Sequence, residues 1–163
     1  DRSRVTLKWP NDVLVDLDTD QGGKVCGILS ERVDGPAGPH AVIGIGINVS
    51  MGRDELPLPT ATSLALCGLN HDKNELLASL LIHLDELLTV WLETGTVRDQ
   101  YVARCDTIGT PVRLTFDPEI VGGGEGAIEG IGVDVDVDGA IVVETSDGRR
   151  SFNAADVHHL RTR

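Results

Sequence analysis

Two lysines and one aspartate lie close together near the start of the chain, and their types suit the handling of a phosphate beside a carboxylate. Lys8 and Asp12 enclose a Trp-Pro-Asn turn, and Lys24 follows a pair of glycines. A lysine ammonium is a compact point charge for phosphate oxygens, and an aspartate carboxylate can help to hold Mg²⁺ beside them. The combination predicts a site that brings two anions together, whereas each lysine alone would be read as a surface charge.

Proline and glycine restrict or free the backbone around these side chains. Pro10 fixes its own φ angle, Asn11 favours a local turn, and the glycine pair before Lys24 permits conformations that other residues resist. Gly27 lacks a side chain on the strand that follows Lys24, so a ligand could lie against the backbone there. On these principles alone, a charged hairpin that binds no ligand stays open as an alternative.

Alternating and apolar runs predict the strands that position this patch. Val5–Lys8 and Val13–Val15 have strand character, and Lys24–Val33 is predicted to be the return strand of a hairpin. Ala41–Val49 is almost entirely apolar, which predicts a central strand buried on both faces. Its two glycines, at positions 44 and 46, indicate that something packs closely against its backbone.

The strongest secondary-structure signal is a helix from Asp72 to about Glu93. Its apolar residues recur at three- and four-residue steps, which predicts one stripe packed in the core. Asp72 is a candidate N-cap, and Gly95 is placed to end the helix. Shorter helices are predicted over Thr60–Leu66 and Val97–Arg104.

The character of the sequence changes near residue 107, where short β-branched runs separated by glycine and aspartate begin. This pattern predicts a small barrel over residues 107–163, after a first domain over residues 1–106. Asp138-Gly139 and Asp147-Gly148 are hairpin signals, and Ala155–Leu160 is predicted to form one helical turn leading into a closing strand. The other predicted strands are Val112–Phe116, Ala127–Val137, Ala140–Glu144 and Arg150–Phe152.

Composition excludes several classes of function. The formal net charge of −12 argues against sequence-independent nucleic-acid binding, which needs an excess of Lys and Arg. Three widely spaced cysteines without a CxxC pair argue against a disulfide framework or a zinc site. No apolar run reaches the length of a membrane span, and no signal peptide is visible. We therefore expect a soluble, cytoplasmic protein.

Five other motifs are better explained by structure than by chemistry. The aspartates of Asp134–Asp138 fit half of a calcium loop, but the acid required at its twelfth position is missing, and hairpin flanks replace helices. The glycines at 44 and 46 lack the rest of a dinucleotide fingerprint, and Gly122–Gly126 lacks the Lys-Ser/Thr of a P-loop. His158 and His159 are adjacent and so point to opposite faces of a strand, and Cys26 has no obvious histidine partner that would make it a nucleophile.

Three motifs in order resemble the biotin protein ligase family, biotin–[acetyl-CoA-carboxylase] ligases. They are Lys8–Asp12, Gly23–Glu31 and Val42–Val49, and Ala61–Leu64 before the long helix is also similar. The resemblance implies an α+β fold in which a mixed β-sheet with packed helices, like that of class II aminoacyl-tRNA synthetases, precedes a small SH3-like barrel.

The resemblance also implies the reaction and its residues. Biotin would be activated by ATP and Mg²⁺ as biotinyl-5′-AMP and passed to a lysine on the biotin carboxyl carrier domain of a carboxylase. Lys24 and Asp12 would be catalytic, with Asp12 also a candidate Mg²⁺ ligand. The expected substrate-binding residues are Lys8, Trp9, Asn11, Gly27, Ile28 and Asn48. A homodimer is left open, and we expect no membrane partner and no nucleic-acid binding by this part.

One feature of the family has no counterpart in the sequence. Family members carry a Gly/Arg-rich loop before the Lys8–Asp12 motif, so we expect the chain to be the C-terminal part of such an enzyme, with weak or no activity by itself. The alternatives are a non-catalytic fragment or degenerate paralogue that binds or dimerises, and a relative of lipoate ligases.

Overall fold

The computed structural model describes residues 4–36, 38–116 and 127–160. It has two compact units, which are described separately. The first comprises residues 1–6 and 11–83, and the second residues 7–10 and 84–163. The predicted division at residues 106 and 107 stays a prediction.

Nine strands and two α-helices are described, with a 3₁₀ turn at Arg53–Glu55. In chain order they are β1 (Val5–Lys8), β2 (Asp12–Val15), β3 (Gly23–Gly35), β4 (Gly38–Ile47), α1 (Lys73–Thr94), α2 (Arg98–Val102), β5 (Pro111–Thr115), β6 (Ala127–Val135), β7 (Ile141–Thr145), β8 (Gly148–Phe152) and β9 (Asp156–His159). Neither described helix is long and apolar enough to cross a membrane.

The first unit is built on a sheet with the strand order β1-β2-β3-β4. β3 pairs antiparallel with β2 on one side and with β4 on the other. Val15, Val25 and Cys26 form its buried cluster, against which Leu64 and Ile47 pack. The predicted hairpin and third strand are therefore present, and the sheet is anchored at the β2–β3 end.

The prediction that the third strand is central and buried on both faces is wrong. β4 lies at the edge of the sheet, and Val42 and Ile43 are 54% and 50% exposed. An apolar run shows that burial of the strand would be favourable, but it does not specify an element that packs against the strand. In the part of the first unit that the structure describes, no element packs over this end of β4, so its side chains stay exposed.

The predicted short helix over Thr60–Leu66 is also wrong, since this segment is a bridge followed by turns. The fully buried Thr62 donates from its hydroxyl to the Gln21 carbonyl and from its backbone to the Lys24 carbonyl. The buried Ser63 hydroxyl donates to the Met51 carbonyl. Bonds from hydroxyls and backbone to distant segments replaced the local bonds that a helix would need.

The long helix forms where it is predicted, but its burial is not as predicted. The Asp72 carboxylate caps α1 by accepting from the backbone N–H groups of Asn74 and Glu75, and Gly95 ends it with φ 76°. No residue of α1 is buried, and Leu81 and Trp91 are more than half exposed. The apolar stripe is real, but within each unit the described residues leave it largely uncovered.

The second unit contains a five-stranded antiparallel sheet with the order β8-β7-β6-β5-β9. Its apolar core includes Val112, Leu114, Ile141 and Val143, all with no exposed area. The hairpin signals are confirmed by pairing of β6 with β7 and of β7 with β8. Among the described residues the sheet is not closed into a barrel, and Gly122–Gly126 lies outside them.

The end of the second unit differs from its prediction in one respect. Ala155–Leu160 forms no helical turn; Asp156–His159 is already strand β9, paired antiparallel with β5. Ladder bonds to β5 satisfy the backbone of this segment, so the local turn has no advantage. The expected closing strand is therefore present without the helical entry.

Candidate functional site

Lys24 and Asp12 form an ion pair at the start of the β2–β3 hairpin. The Nζ atom of Lys24 lies 2.5 Å from the Asp12 Oδ1 atom, and the two side chains are 41% and 13% exposed. Both lie in the first unit. Two of the predicted residues, twelve positions apart in sequence, are thus brought into direct contact by the hairpin.

A register shift in the hairpin aims Lys24 at this partner. Asp12 pairs with Gly27 and Val13 with Cys26, but Leu14 then pairs with Lys24, which leaves Val25 without a partner on β2. In a regular strand, residues 24 and 27 would point to opposite faces. A β-bulge adds one residue and so reverses that alternation. Lys24 and Gly27 therefore share a face.

Gly27 provides the space in which the lysine lies. A Cβ atom at position 27 would be 3.2 Å from both Cε and Nζ of Lys24 and 3.9 Å from Asp12 Oδ1. The missing side chain lets the ammonium lie over the strand and reach the carboxylate. The sequence indicates an open backbone here, and the structure adds that Lys24 itself occupies part of that opening.

Asn11 ties the preceding turn to β3 through both its backbone and its side chain. Its carbonyl accepts the Ile28 backbone N–H at 2.9 Å, and its Nδ2 donates to the Ile28 carbonyl at 2.7 Å. Asn11, Lys24, Gly27 and Ile28 line one cleft of about 520 Å³. Four of the expected site residues therefore surround a common space, beside the Lys24–Asp12 pair.

The rest of the cleft lining is formed by Leu29, Gly44, Ile45 and Gly46, which were not among the expected site residues. The signal was present in the pattern of glycines. Gly27 pairs with Gly46 across β3 and β4, and Leu29 pairs with Gly44. Glycines placed opposite each other would have indicated that one ligand surface extends over both strands.

Asn48 is close to the hairpin but is not among the residues that line the cleft. Its backbone N–H donates to the Val25 carbonyl, and its side-chain Nδ2 donates to the Thr62 carbonyl at 2.9 Å. The backbone bond holds the loop after β4 against β3, and the side-chain amide links the same loop to Thr62. The Asn48 Oδ1 atom remains an acceptor. A contact between Asn48 and nucleotide stays a prediction.

Lys8 and Trp9 belong to the second unit. Trp9 is 3% exposed and packs in the core of that unit, with its Nε1 donating to the Gly139 carbonyl at 2.9 Å. Lys8 is half-buried. The structure gives Trp9 a packing role, and a contact of either residue with substrate stays a prediction.

Two titratable groups near the hairpin have shifted pKa values. Hydrogen bonding and charge attraction from the Arg4 guanidinium hold the pKa of Asp16 below its usual value. Burial raises the pKa of the Cys26 thiol, against the attraction of nearby Lys24. A neutral thiol is a weak nucleophile, which agrees with the reading of Cys26 as a structural residue.

Replacement of Asp16 by asparagine is expected to destabilise the chain above about pH 4 but not far below it. The folded pKa is lowered, so the ionised carboxylate contributes stability above the unfolded pKa and loses it as the pH falls through the folded pKa. Asparagine suits the backbone, since position 16 has φ 49°. Urea unfolding of both proteins between pH 2.5 and 7 measures the difference, and a gap that does not narrow in acid would contradict this assignment.

Comparisons with known proteins agree at both ends of the chain. The Biotin/lipoate A/B protein ligase family model matches residues 1–48, and the Biotin protein ligase C terminal domain model matches residues 107–160. A biotin–[acetyl-CoA-carboxylase] ligase of Mycobacterium tuberculosis is 36% identical over 157 residues, which is 95% of this chain and 53% of that protein. The bifunctional ligase/repressor BirA of Bacillus spizizenii is 26% identical, over 93% of this chain and 45% of its own length.

Solved structures give the same result. The biotin protein ligase of Aquifex aeolicus in complex with biotin and ATP is 26% identical, with a TM-score of 0.70 over 95% of this chain and 62% of that chain. The apo structure of the Aquifex enzyme has a TM-score of 0.73 at 24% identity, over 95% of this chain and 65% of that chain. The chain spans about half the length of the curated relatives it matches. Both ends of this chain therefore match domain models of the biotin protein ligases, and its fold is similar to that of a solved biotin protein ligase.

Proposed function

We propose that the protein attaches biotin to a lysine of an acceptor protein at the expense of ATP. One observation carries the proposal: the Lys24–Asp12 ion pair lies beside a cleft whose lining includes the glycine-rich face of β3 and β4. Such a cleft offers a cation for the reacting anions and an open backbone surface for a flat ligand. Similarity to biotin protein ligases at both ends of the chain supports this chemistry over other uses of a lysine.

The reaction has two steps. In the first, the biotin carboxylate attacks the α-phosphorus of ATP, and pyrophosphate leaves with the bonding electrons, giving biotinyl-5′-AMP. In the second, the acceptor lysine amine attacks the carbonyl of this mixed anhydride, and AMP leaves. In the first step the biotin carboxylate and the α-phosphate, both anions, must approach each other. A cation fixed beside them lowers the barrier because it stabilises the negative charge of the transition state.

Lys24 is the residue best suited to supply that cation. Its ammonium leans over Gly27 at the cleft, and Asp12 holds it there. When phosphate and carboxylate oxygens arrive, the ammonium has three N–H donors to share between them and Asp12. The ion pair therefore fixes the direction of Lys24 before the substrates bind, which reduces the reorganisation needed in the reaction.

Asp12 has the chemistry of a Mg²⁺ ligand as well. Protein sites for Mg²⁺ on nucleotides commonly use one or two carboxylates together with phosphate oxygens. Asp12 fits as a single carboxylate, which lies in an ion pair with Lys24 beside the cleft. Mg²⁺ would neutralise phosphate charge in such a position.

The remaining expected residues have supporting roles. Ile28 and Gly27 line the cleft with Ile45, an apolar surface suited to the ring system of biotin. The Asn48 oxygen is an acceptor for a nucleotide, and Lys8 is a further cation for the acceptor side. The acceptor itself would be the biotin carboxyl carrier domain of a carboxylase in the cytoplasm.

A binding or dimerisation role is the second candidate, and one observation favours it. Apolar side chains on β3 and β4, such as Leu29, Val42 and Ile43, are at least half exposed. Exposed apolar strands at a sheet edge are a frequent place for association. Leu29 also lines the cleft, whereas Val42 and Ile43 do not, so a homodimer formed through Val42 and Ile43 would be compatible with the ligase.

Transfer of labelled biotin tests the function directly. The full-length protein is incubated with Mg-ATP, labelled biotin and a biotin carboxyl carrier domain, with a lysine-free acceptor variant as the control. Labelled lipoate in a parallel reaction separates the two branches of the family that matches residues 1–48. Covalent labelling of the acceptor by biotin supports the proposal. No labelling by either acid would refute it, and labelling by lipoate alone would replace biotin with lipoate.

Gly27→Ala in the full-length protein is expected to slow biotinyl-AMP formation about tenfold, because displacement of a reacting group by less than 1 Å is already costly. The new methyl group would lie 3.2 Å from Lys24 Nζ and must push the ammonium away from its position. Pyrophosphate exchange into ATP measures the rate. Gly52→Ala is the matched control, since Gly52 does not line the cleft and its Cβ would meet only the Glu55 carboxylate oxygen, at 3.5 Å. Equal effects of the two changes would contradict the role of Gly27.

A further inference from the structure

A buried chain of polar groups in the second unit ends on the backbone of Trp9. It runs from the Asp106 carboxylate to the His159 ring, from that ring to the Thr107 hydroxyl, and from that hydroxyl to the Trp9 backbone N–H. We propose that Thr107 and His159 are positioning residues, which hold the Lys8-Trp9-Pro10 segment for the ligase reaction. The effect on catalysis rests on the proposed function, whereas the effect on Trp9 does not.

Thr107 is the central member of this chain. It is fully buried, and its Oγ1 atom accepts the Trp9 backbone N–H at 3.0 Å. The same oxygen lies 3.1 Å from Nε2 of His159. A hydroxyl has one hydrogen and two acceptor lone pairs. One lone pair of the Thr107 hydroxyl accepts from the Trp9 N–H, and the hydroxyl hydrogen can point to the histidine. A bond from that hydrogen to the histidine fixes the rotation of the hydroxyl, and so fixes where its lone pairs point.

His159 is placed to accept that hydrogen. Its side chain is 8% exposed, and its Nδ1 atom lies 3.6 Å from the Asp106 carboxylate. A carboxylate on that side favours the tautomer with the proton on Nδ1, which leaves Nε2 as an acceptor. We therefore assign Thr107 as donor to His159 Nε2. A hydrogen bond donated to His159 polarises the Thr107 hydroxyl, so the N–H of Trp9 meets a strengthened acceptor.

The backbone around Thr107 is itself held in place. A Cβ atom at Gly132 would lie 2.4 Å from the Thr107 carbonyl oxygen, so this close approach requires glycine on β6. On the other side, Leu7 donates to the Arg104 carbonyl and accepts from the Asp106 N–H, both at 2.8 Å. The backbone bonds of Leu7 therefore hold the start of the segment, and the Thr107 hydroxyl adds the bond that holds Trp9.

A role limited to filling the core would have a different signature from a role in positioning. Valine has nearly the shape of threonine, so Thr107→Val preserves packing but removes the acceptor for Trp9. Serine keeps the hydroxyl and loses a methyl group, so Thr107→Ser keeps the acceptor for Trp9 but weakens the packing. If the hydroxyl positions Trp9, the valine variant is the impaired one; if packing is what counts, the serine variant is.

Thr115 and His158 supply a matched control in the same sheet. The Thr115 Oγ1 atom lies 3.5 Å from His158 Nε2 at an exposed position, whereas the Trp9 backbone N–H bonds to Thr107. Thr115→Val therefore removes a threonine hydroxyl beside a histidine without touching Trp9. His159→Phe is a second disruption of the buried chain, which removes the acceptor for Thr107 and serves where Thr107→Val does not fold.

Hydrogen exchange of the Trp9 amide, measured by NMR on the 163-residue chain, tests the positioning without any substrate. We expect exchange at Trp9 to be about tenfold faster in Thr107→Val and faster in His159→Phe, corresponding to one lost hydrogen bond. Thr107→Ser and Thr115→Val should stay within about twofold of the parent. Equal acceleration in the valine and serine variants, or acceleration at Trp9 no greater than at the core amide of Leu114, would overturn the proposal.

Adenylate formation by the full-length protein tests the consequence for the reaction. Thr107→Val and His159→Phe should each lower its rate about tenfold, with Thr107→Ser and Thr115→Val near the parent rate. Parent-like rates in all four variants would overturn the link to catalysis. Absence of adenylate from the parent itself would instead refute the proposed function, and the exchange of Trp9 would still decide whether Thr107 and His159 position it.

Discussion

Lys24→Ala in the full-length protein is expected to lower the rate of biotinyl-AMP formation by about 10²- to 10³-fold, the effect of removing one preorganised charge from a transition state. The structure gives the reason in the Lys24–Asp12 pair, where the ammonium is already directed at the cleft. Its removal also takes a positive charge from beside the Asp12 carboxylate, so the net charge that meets the two anionic substrates becomes more negative. Pyrophosphate exchange under saturating ATP and biotin measures the rate of this step.

Two control variants sharpen this test. Lys73→Ala removes an exposed lysine at the start of α1 and should leave the rate unchanged. Lys24→Arg keeps the charge but replaces a compact ammonium with a planar fork that cannot fit over Gly27 in the same way, so it should recover only part of the activity. Near-parent rates in Lys24→Ala would show that another cation does this work.

Local patterns in the sequence predicted most of the elements. The β1 strand was predicted at Val5–Lys8 and is found there, and α1 begins and ends at its cap residues Asp72 and Gly95. In the second unit, glycine and aspartate in the turns placed the β6–β7 and β7–β8 hairpins. These features depend on backbone geometry and capping within a few residues, which is information that the sequence contains locally.

Burial was the main failure, and it has one cause. The apolar residues of β4 and the stripe on α1 both predicted cover that the described residues do not provide. Periodicity reports that a face prefers to be buried, but it does not specify which partner would bury it. Thr60–Leu66 failed for a related reason, because distant carbonyls bonded its hydroxyls.

The candidate site was predictable in its members but not in its geometry. Lys24, Asp12 and Gly27 were identified from their types, and the hairpin that joins them was expected. The register shift at Val25, which turns Lys24 and Gly27 to one face, has no marker in the sequence. The same holds for Thr107 and His159, whose connection to Trp9 spans about a hundred residues and appears only after folding.

Leu114→Ala is expected to destabilise the chain by about 2–5 kcal/mol, the usual range for a truncated core leucine. Leu114 has no exposed area and packs in the core of the second unit, with strands on both sides of β5 to restrict its collapse. The hydrocarbon removed therefore leaves a cavity. Urea unfolding followed by circular dichroism measures the change, and it needs no ligand or partner.

Leu92→Ala makes the same chemical change at an exposed position. Leu92 lies on α1 and is 81% exposed, so its truncation should alter the stability of the 163-residue chain by no more than about 0.5 kcal/mol. The contrast between Leu114 and Leu92 separates buried apolar residues, which stabilise this chain, from exposed ones, whose pattern only indicates that burial would be favourable. Equal costs for the two leucines would mean that α1 is covered in solution, for instance by a second copy, and a sedimentation measurement across concentrations would then detect that association.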